Sequence, residues 1–228
     1  MRLRAQRVNR LDTAFEIGQR WIQVMLVMTS ATAMAGTIDD SEQAPYEQCG
    51  FCHEYDGNSV MPGYPRLAGQ KKAYLVKQLE DFRAGRRTGV MQGTAELLSD
   101  QDIETVAVYF SGQRVRGDNE TAMSNEQKRL ARRLIVRGDQ ARKVPPCLSC
   151  HGPGMFGSGD VPRLTGQHPK YLHKQLLAFR AGGRANDPAG QMRRIARELR
   201  DEEMEALAAY LGSYQRGSQD AQRQGDQQ

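Results

Sequence analysis

The sequence predicts an all-α chain made of two copies of one small helical unit. Three observations carry that prediction. A five-residue cysteine motif occurs twice and holds all four cysteines. A longer block of helix-spaced residues repeats behind each copy. No stretch alternates apolar and polar residues as a half-buried strand does.

The motif is Cys49-Gly50-Phe51-Cys52-His53, repeated as Cys147-Leu148-Ser149-Cys150-His151. C-x-x-C-H is the attachment pattern of a c-type haem. Two thiols that add across the vinyl groups of one porphyrin edge must sit about one helical turn apart. The next residue then presents its imidazole to the iron. A zinc site fits less well, because the cysteine pairs lie 98 residues apart and each carries an adjacent histidine. A thioredoxin-type redox pair needs a βαβ context that the chain lacks. Structural disulfides leave both histidines unexplained. The expected cofactors are two covalently bound haem c groups.

The 228 residues suffice for two small domains. Hydrophobic content of 39% and aromatic content of 7% are lean for two independent cores. A covalently held porphyrin supplies the missing apolar mass. Residues 1–35 read as an export signal. Arg2, Arg4, Arg7, Arg10 and Arg20 precede or border the short apolar run from Trp21 to Met28, and Ala33-Met34-Ala35 has the A-x-A cleavage pattern. That run is short for a bilayer span, so an uncleaved anchor is the alternative. The leader carries five arginines against Asp12 and Glu16, so the formal +5 falls to +2 in the mature chain. Four haem propionates bring it near neutrality, which argues against nucleic acid as a partner.

The repeat is read directly. Pro65-Arg66-Leu67-Ala68-Gly69-Gln70 matches Pro162-Arg163-Leu164-Thr165-Gly166-Gln167, and Tyr74 to Leu79 matches Tyr171 to Leu176. Phe82-Arg83-Ala84-Gly85 matches Phe179-Arg180-Ala181-Gly182. The offset of 97 becomes 101 further on, which places four extra residues within 186–190. Behind each motif the pattern predicts a Gly- and Pro-rich loop, then an amphipathic helix over 71–84 and 169–181. Leu75, Leu79 and Phe82 share one face of the first, and Leu172, Leu176 and Phe179 of the second. A second loop carrying Met91 or Met192 leads to a last helix. Ser99 and Asp102 offer a capping-box variant for the first of these; in the second, Arg200 holds the cap position, so Asp201 is expected to cap instead. Residues 126–137 read as a basic amphipathic helix opening the second unit. The first unit has only 37–48 there, where Pro45 limits any helix. The expected divisions are a signal peptide over 1–35, domains over 36–113 and 126–214, a polar linker over 114–125 and a disordered tail over 215–228.

A proximal histidine leaves one axial position for each iron. Met91 stands seven residues before Leu98 and Met192 seven before Leu199, so the two are equivalent and are the expected sixth ligands. Met61 and Met155 do not superimpose in the repeat. The carbonyls of Pro65 and Pro162 are acceptors for the second ring nitrogen of His53 and His151; plain turn rigidity explains these prolines equally well. Arg83, Arg87, Arg180 and Arg184 read as solvated helix-end residues or as propionate partners. His168 and His173, found only in the second unit, are expected at the surface.

The two C-x-x-C-H sites, Asp56-Gly57-Asn58-Ser59, the P-x-L-x-G-Q and Y-L-x-x-Q-L-x-x-F-R-x-G blocks and the paired methionines together resemble the dihaem cytochromes c of the c4 type. The resemblance covers residues 46–212. It implies two class I cytochrome c domains, His/Met-ligated haems, the proline-carbonyl bond and a periplasmic carrier of single electrons between respiratory partners. The donor is then a quinol-oxidising complex or a dehydrogenase and the acceptor a terminal oxidase, with membrane association only through partners. The alternatives are an electron-transfer subunit of a periplasmic dehydrogenase and a dihaem enzyme, such as a peroxidase or thiosulfate-oxidising cytochrome. Glu54 departs from the pattern, standing where the resembled proteins carry glycine.

Overall fold

The structure is a computed structural model that describes residues 44–116 and 122–213. The proposed leader and tail lie outside the described residues. Among the described residues the only β pairing is two isolated bridges, Asp139 with Val144 and Ser158 with Val161. The chain is otherwise helices and loops, as expected.

The first half contains α1 (Pro45–His53), α2 (Lys72–Arg83), α3 (Met91–Glu96) and α4 (Asp100–Gly112). The second contains α5 (Asn125–Arg137), α6 (Leu148–His151), α7 (Pro169–Ala181), α8 (Gln191–Glu198) and α9 (Asp201–Gly212). In each half the long middle helix packs on the methionine helix and on the last helix: α2 on α3 and α4, α7 on α8 and α9. The apolar stripes do this. Leu75, Val106, Ala107 and Phe110 form the core of the first half. Leu172, Phe179, Met204, Leu207 and Leu211 sit in that of the second, joined by Leu134 and Ile135 from α5.

Helix ends follow local chemistry. Asp102 N–H donates to Ser99 Oγ (3.1 Å), and Ser99 N–H donates to Asp102 Oδ2 (2.9 Å). Ser124 and Gln127 make the same box on α5 (3.1 and 2.9 Å). On α9 Asp201 is the first helical residue and does not cap. Glu203 instead accepts the Arg200 N–H at 3.0 Å, half of a box whose cap residue has no acceptor to return. Gly182 closes α7 in the left-handed conformation that glycine adopts without penalty.

Two expectations about the short helices need correction. Met91 and Met192 do not lie in loops: they are the first residue of α3 and the second of α8. Gly89 and Gly93 hid the first of these short helices from a periodicity reading. Pro45 does not prevent a helix either. It occupies the first turn of α1, where its missing N–H costs nothing. That helix runs directly into the first motif and packs on α4, with Tyr46 stacked on Tyr109 at 3.7 Å. The described residues 114–116 of the expected linker are held in place. Val115 is buried, and Asn58 holds the neighbouring backbone by accepting Arg116 N–H (2.7 Å) and donating to Arg114 O (2.9 Å).

The two halves meet along a reciprocal polar seam. Gln70 Oε1 accepts Arg163 N–H (2.7 Å), and its amide donates to Arg163 O (2.9 Å). Gln167 does the same to Arg66, both at 2.8 Å. Arg87 donates to Gln78 (2.7 Å), Tyr171 (2.9 Å) and Gln175 (3.0 Å). Arg184 returns the pattern to Gln175 (2.8 Å), Tyr74 (3.0 Å) and Gln78 (3.0 Å). Each guanidinium lies over its own half's phenylalanine, Phe82 or Phe179, at 4.5 Å. Arg87 and Arg184 are therefore seam residues rather than solvated helix ends. His168 is another correction. It is buried, and its Nε2–H donates across the seam to Ser59 O at 2.7 Å. Arg83 and Arg180 are partly exposed and pair with exposed carboxylates, Asp100 and Asp201.

Candidate haem sites

Each C-x-x-C-H motif forms a helical turn. Cys49 and Cys52 lie on α1; Cys147 caps α6, which holds Cys150. None of the four is in a disulfide. Burial pushes the Cys49 and Cys147 thiols up to about 11, against the helix backbone bonds that lower them. Among the described residues no three of His, Cys, Asp and Glu converge as a metal cluster, so the cysteine pairs do not share one ion.

The histidines carry the decisive geometry. His53 and His151 are both buried. His53 Nδ1 lies 2.8 Å from Pro65 O, and His151 Nδ1 lies 2.9 Å from Pro162 O. A carbonyl only accepts, so Nδ1 carries the proton in each ring. Nε2 is left with a bare lone pair, the form that binds a metal. Burial holds both imidazoles below the usual range, outweighing the carbonyl bond that raises them, so they remain neutral. The prolines thus do more than stiffen a turn. The two thiols and the one oriented neutral imidazole fit a covalent haem in each half.

Met91 and Met192 are both partly buried, and Met192 packs against the second core. The other methionines do not form a pair. Met61 is 45% exposed and Met155 is 4% exposed. Met155 occupies the place of Gly57: the carbonyl of each accepts two N–H groups from the loop ahead, Leu67 and Ala68 in one half, Leu164 and Thr165 in the other. Glycine offers no ligand, so this position cannot serve both halves.

The turn after each histidine is asymmetric. Gly152 adopts φ +72°, where glycine is at home, and Glu54 adopts φ +61° with ψ 152°. A Cβ built on Gly152 meets nothing within 4 Å, so the turn of the second half leaves room for a side chain. The backbone conformation itself remains unfavourable for Glu54.

Two helical halves, each with a thiol pair, a metal-ready imidazole and a methionine helix, define a dihaem c-type cytochrome. A family model described as Cytochrome c matches residues 136–215, the second half. Cytochrome c4 of Stutzerimonas stutzeri is 38% identical over 82% of this chain and 95% of its own length. The thiosulfate dehydrogenase electron acceptor of the same species, strain A1501, is 39% identical over 72% of this chain and 78% of its own. The crystal structure of reduced cytochrome c4 from Pseudomonas stutzeri superposes with a TM-score of 0.69 at 36% identity, covering 75% of this chain and 97% of that one. The chain belongs to the cytochrome c4 family. It has the class I cytochrome c fold, carries two covalent haem c groups and transfers electrons between redox proteins without being an enzyme. No described helix is long and apolar enough to cross a membrane.

Sequence reasoning missed the seam residues His168, Arg87 and Arg184. A signal for two of them was available. Tyr74, Gln78 and Arg87 recur as Tyr171, Gln175 and Arg184, and polar residues repeated this faithfully mark a shared buried face. His168 has no counterpart, since Lys71 stands at its position, and nothing local announces it.

Proposed function

We propose that Cys49 and Cys52 hold the first haem and Cys147 and Cys150 the second, with His53 and Met91, and His151 and Met192, as the axial pairs. The domains are 36–113 and 126–214. When bound, haem c supplies one-electron chemistry. The chain's residues fix the potential at which it occurs. The Pro65 and Pro162 carbonyls orient each imidazole and raise its basicity, and a neutral thioether favours the ferrous state. The duplicated Nδ1–H to carbonyl bond carries this reading.

A redox titration followed by absorption spectra tests it. Met91→Ala or Met192→Ala lowers the potential of one haem, leaves the other unchanged, and opens one iron to carbon monoxide. Unchanged spectra and potentials in both variants remove the ligand assignment.

Residues 1–35 act as an export leader, so that the carrier works in the periplasm. It takes electrons from a quinol-oxidising complex or a dehydrogenase and delivers them to a terminal oxidase. A second reading, an electron-accepting subunit for a dehydrogenase, is favoured by the 39% identity to the thiosulfate dehydrogenase electron acceptor. Copurification of the native protein with a dehydrogenase separates the two.

A further inference from the structure

The second half has a cleft built partly from residues the first half lacks. The extra residues of the loop before α8 place Asp187, Ala189 and Gly190 on one side. Arg193, Arg194 and Arg197 of α8 line the other, around a volume of about 330 Å³. Asp187 is committed within the fold. Its carboxylate accepts Arg193 Nε–H (2.7 Å) and Arg193 N–H (3.0 Å), and its side chain is 3% exposed. It orders Arg193 without neutralising Arg194 and Arg197, both of which are exposed. Arg194 also donates to the Ala189 carbonyl, which ties the helix to the loop. Nearby, Glu202 is engaged by Arg200 at 2.9 Å, and the exposed Glu198 follows Arg197.

The same positions on α3 of the first half are Gln92, Gly93 and Glu96. Three cations on one methionine helix thus correspond to a single anion on the other. The halves differ in the same sense as wholes. Residues 44–113 hold nine acidic and seven basic residues, whereas 122–213 hold nine acidic and sixteen basic. Positive charge concentrated in a concave site raises encounter rates with anionic partners.

We infer that the cleft formed by Asp187, Arg193, Arg194 and Arg197 docks an acidic protein surface, and that the partner exchanging electrons with the second haem binds there. The inference rests on the reading of Met192 as an iron ligand, because Met192 lies in sequence between the loop residues and the arginines that line the cleft. Its occupant presents carboxylates to Arg194 and Arg197, while Arg193 stays held by Asp187.

The test uses the fully reduced holoprotein, hexacyanoferrate(III) as a one-electron anionic oxidant and polyglutamate as a stand-in for an acidic protein face. Each haem iron gives up one electron and each hexacyanoferrate(III) becomes hexacyanoferrate(II). In stopped flow, one of two oxidation phases is expected to slow about tenfold between low and physiological ionic strength. Polyglutamate is expected to compete with that phase. In Arg194→Glu/Arg197→Glu the phase is already slow at low salt and indifferent to polyglutamate. The control Gln92→Glu, on the equivalent face of the first half, leaves it unchanged. The inference is overturned if the double variant behaves as the parent, or if polyglutamate competes equally with both proteins, which would place the acidic surface elsewhere, such as α5. Failure of polyglutamate to compete with the parent at all also overturns it, leaving a site for small ions only. The ligand reading is judged separately, since the arginine variants retain the parent spectrum and only Met192→Ala alters it.

Discussion

Replacing Gln70 or Gln167 by methionine keeps the side-chain volume but removes both hydrogen bonds that each amide makes across the seam. In Gln70→Met the N–H and C=O of buried Arg163 lose their partners at 2.7 and 2.9 Å. An orphaned buried polar group costs about 1–3 kcal/mol, so the pair amounts to about 2–6 kcal/mol. The halves have an escape, because they can part and let water reach both groups. The observed cost is then limited to the free energy of opening the seam. Gln167→Met should give the same result, since its contacts with Arg66 are both 2.8 Å. Guanidinium unfolding of the holoprotein, followed by haem absorbance and by far-ultraviolet circular dichroism, reads the effect. The expected outcome is a loss of about 2 kcal/mol or more in the first transition, with a larger radius of gyration in solution scattering. A shift below about 0.5 kcal/mol in both variants, the size of an ordinary surface change, would refute the reasoning.

Three further predictions follow from particular side chains. Glu54→Gly relieves a positive φ and stabilises the first half by about 1 kcal/mol, read as a higher unfolding midpoint. Gly57→Met puts a side chain, at φ +71°, where a Cβ already stands 2.7 Å from the Phe110 ring and 2.8 Å from the Ala68 backbone nitrogen, and overpacking there costs about 1–3 kcal/mol. The second half carries Met155 at this position and the smaller Leu211 at that of Phe110, both in its core, so adding Phe110→Leu should recover the part of that loss due to the ring; failure of the rescue in thermal unfolding would show that the halves do not share this packing rule. Glu203, fully buried, receives two bonds from Arg142 at 2.8 and 2.7 Å. Burial pushes its carboxyl up, but the Arg142 bonds outweigh this and hold it below the usual range. Its stabilisation is therefore complete above the ordinary glutamate range and is lost as pH falls toward the depressed folded value. Glu203→Gln should lower stability by about 3 kcal/mol at neutral pH and flatten the acid limb of a stability–pH curve.

Much of the fold was legible because the chain states it twice. The cysteine motifs, the apolar stripes of α2 and α7 and the Ser99 cap are local patterns whose physics lies within a few residues. The Pro65 and Pro162 acceptors were readable as candidates from their distance to the histidines. What escaped was non-local. Arg87 and Arg184 look like any helix-end arginines until the opposite half supplies Tyr171 or Tyr74 as acceptors. His168 acquires its role only from the Ser59 carbonyl, 109 residues away. The α3 helix was obscured by its own glycines, and it is held against α2 by packing rather than by propensity.

The crossed Gln, Tyr and Arg contacts have the form of a contract signed by two identical parties, in which every clause appears once in each direction. Such reciprocity is how equal molecules meet about a two-fold axis. Tethering them in one polypeptide makes that meeting independent of concentration. It also lets the outer faces drift apart while the join stays common to both. A helix with Gln92 and Gly93 at one end can thereby answer to a different redox protein from the helix with Arg193 and Arg194 at the other.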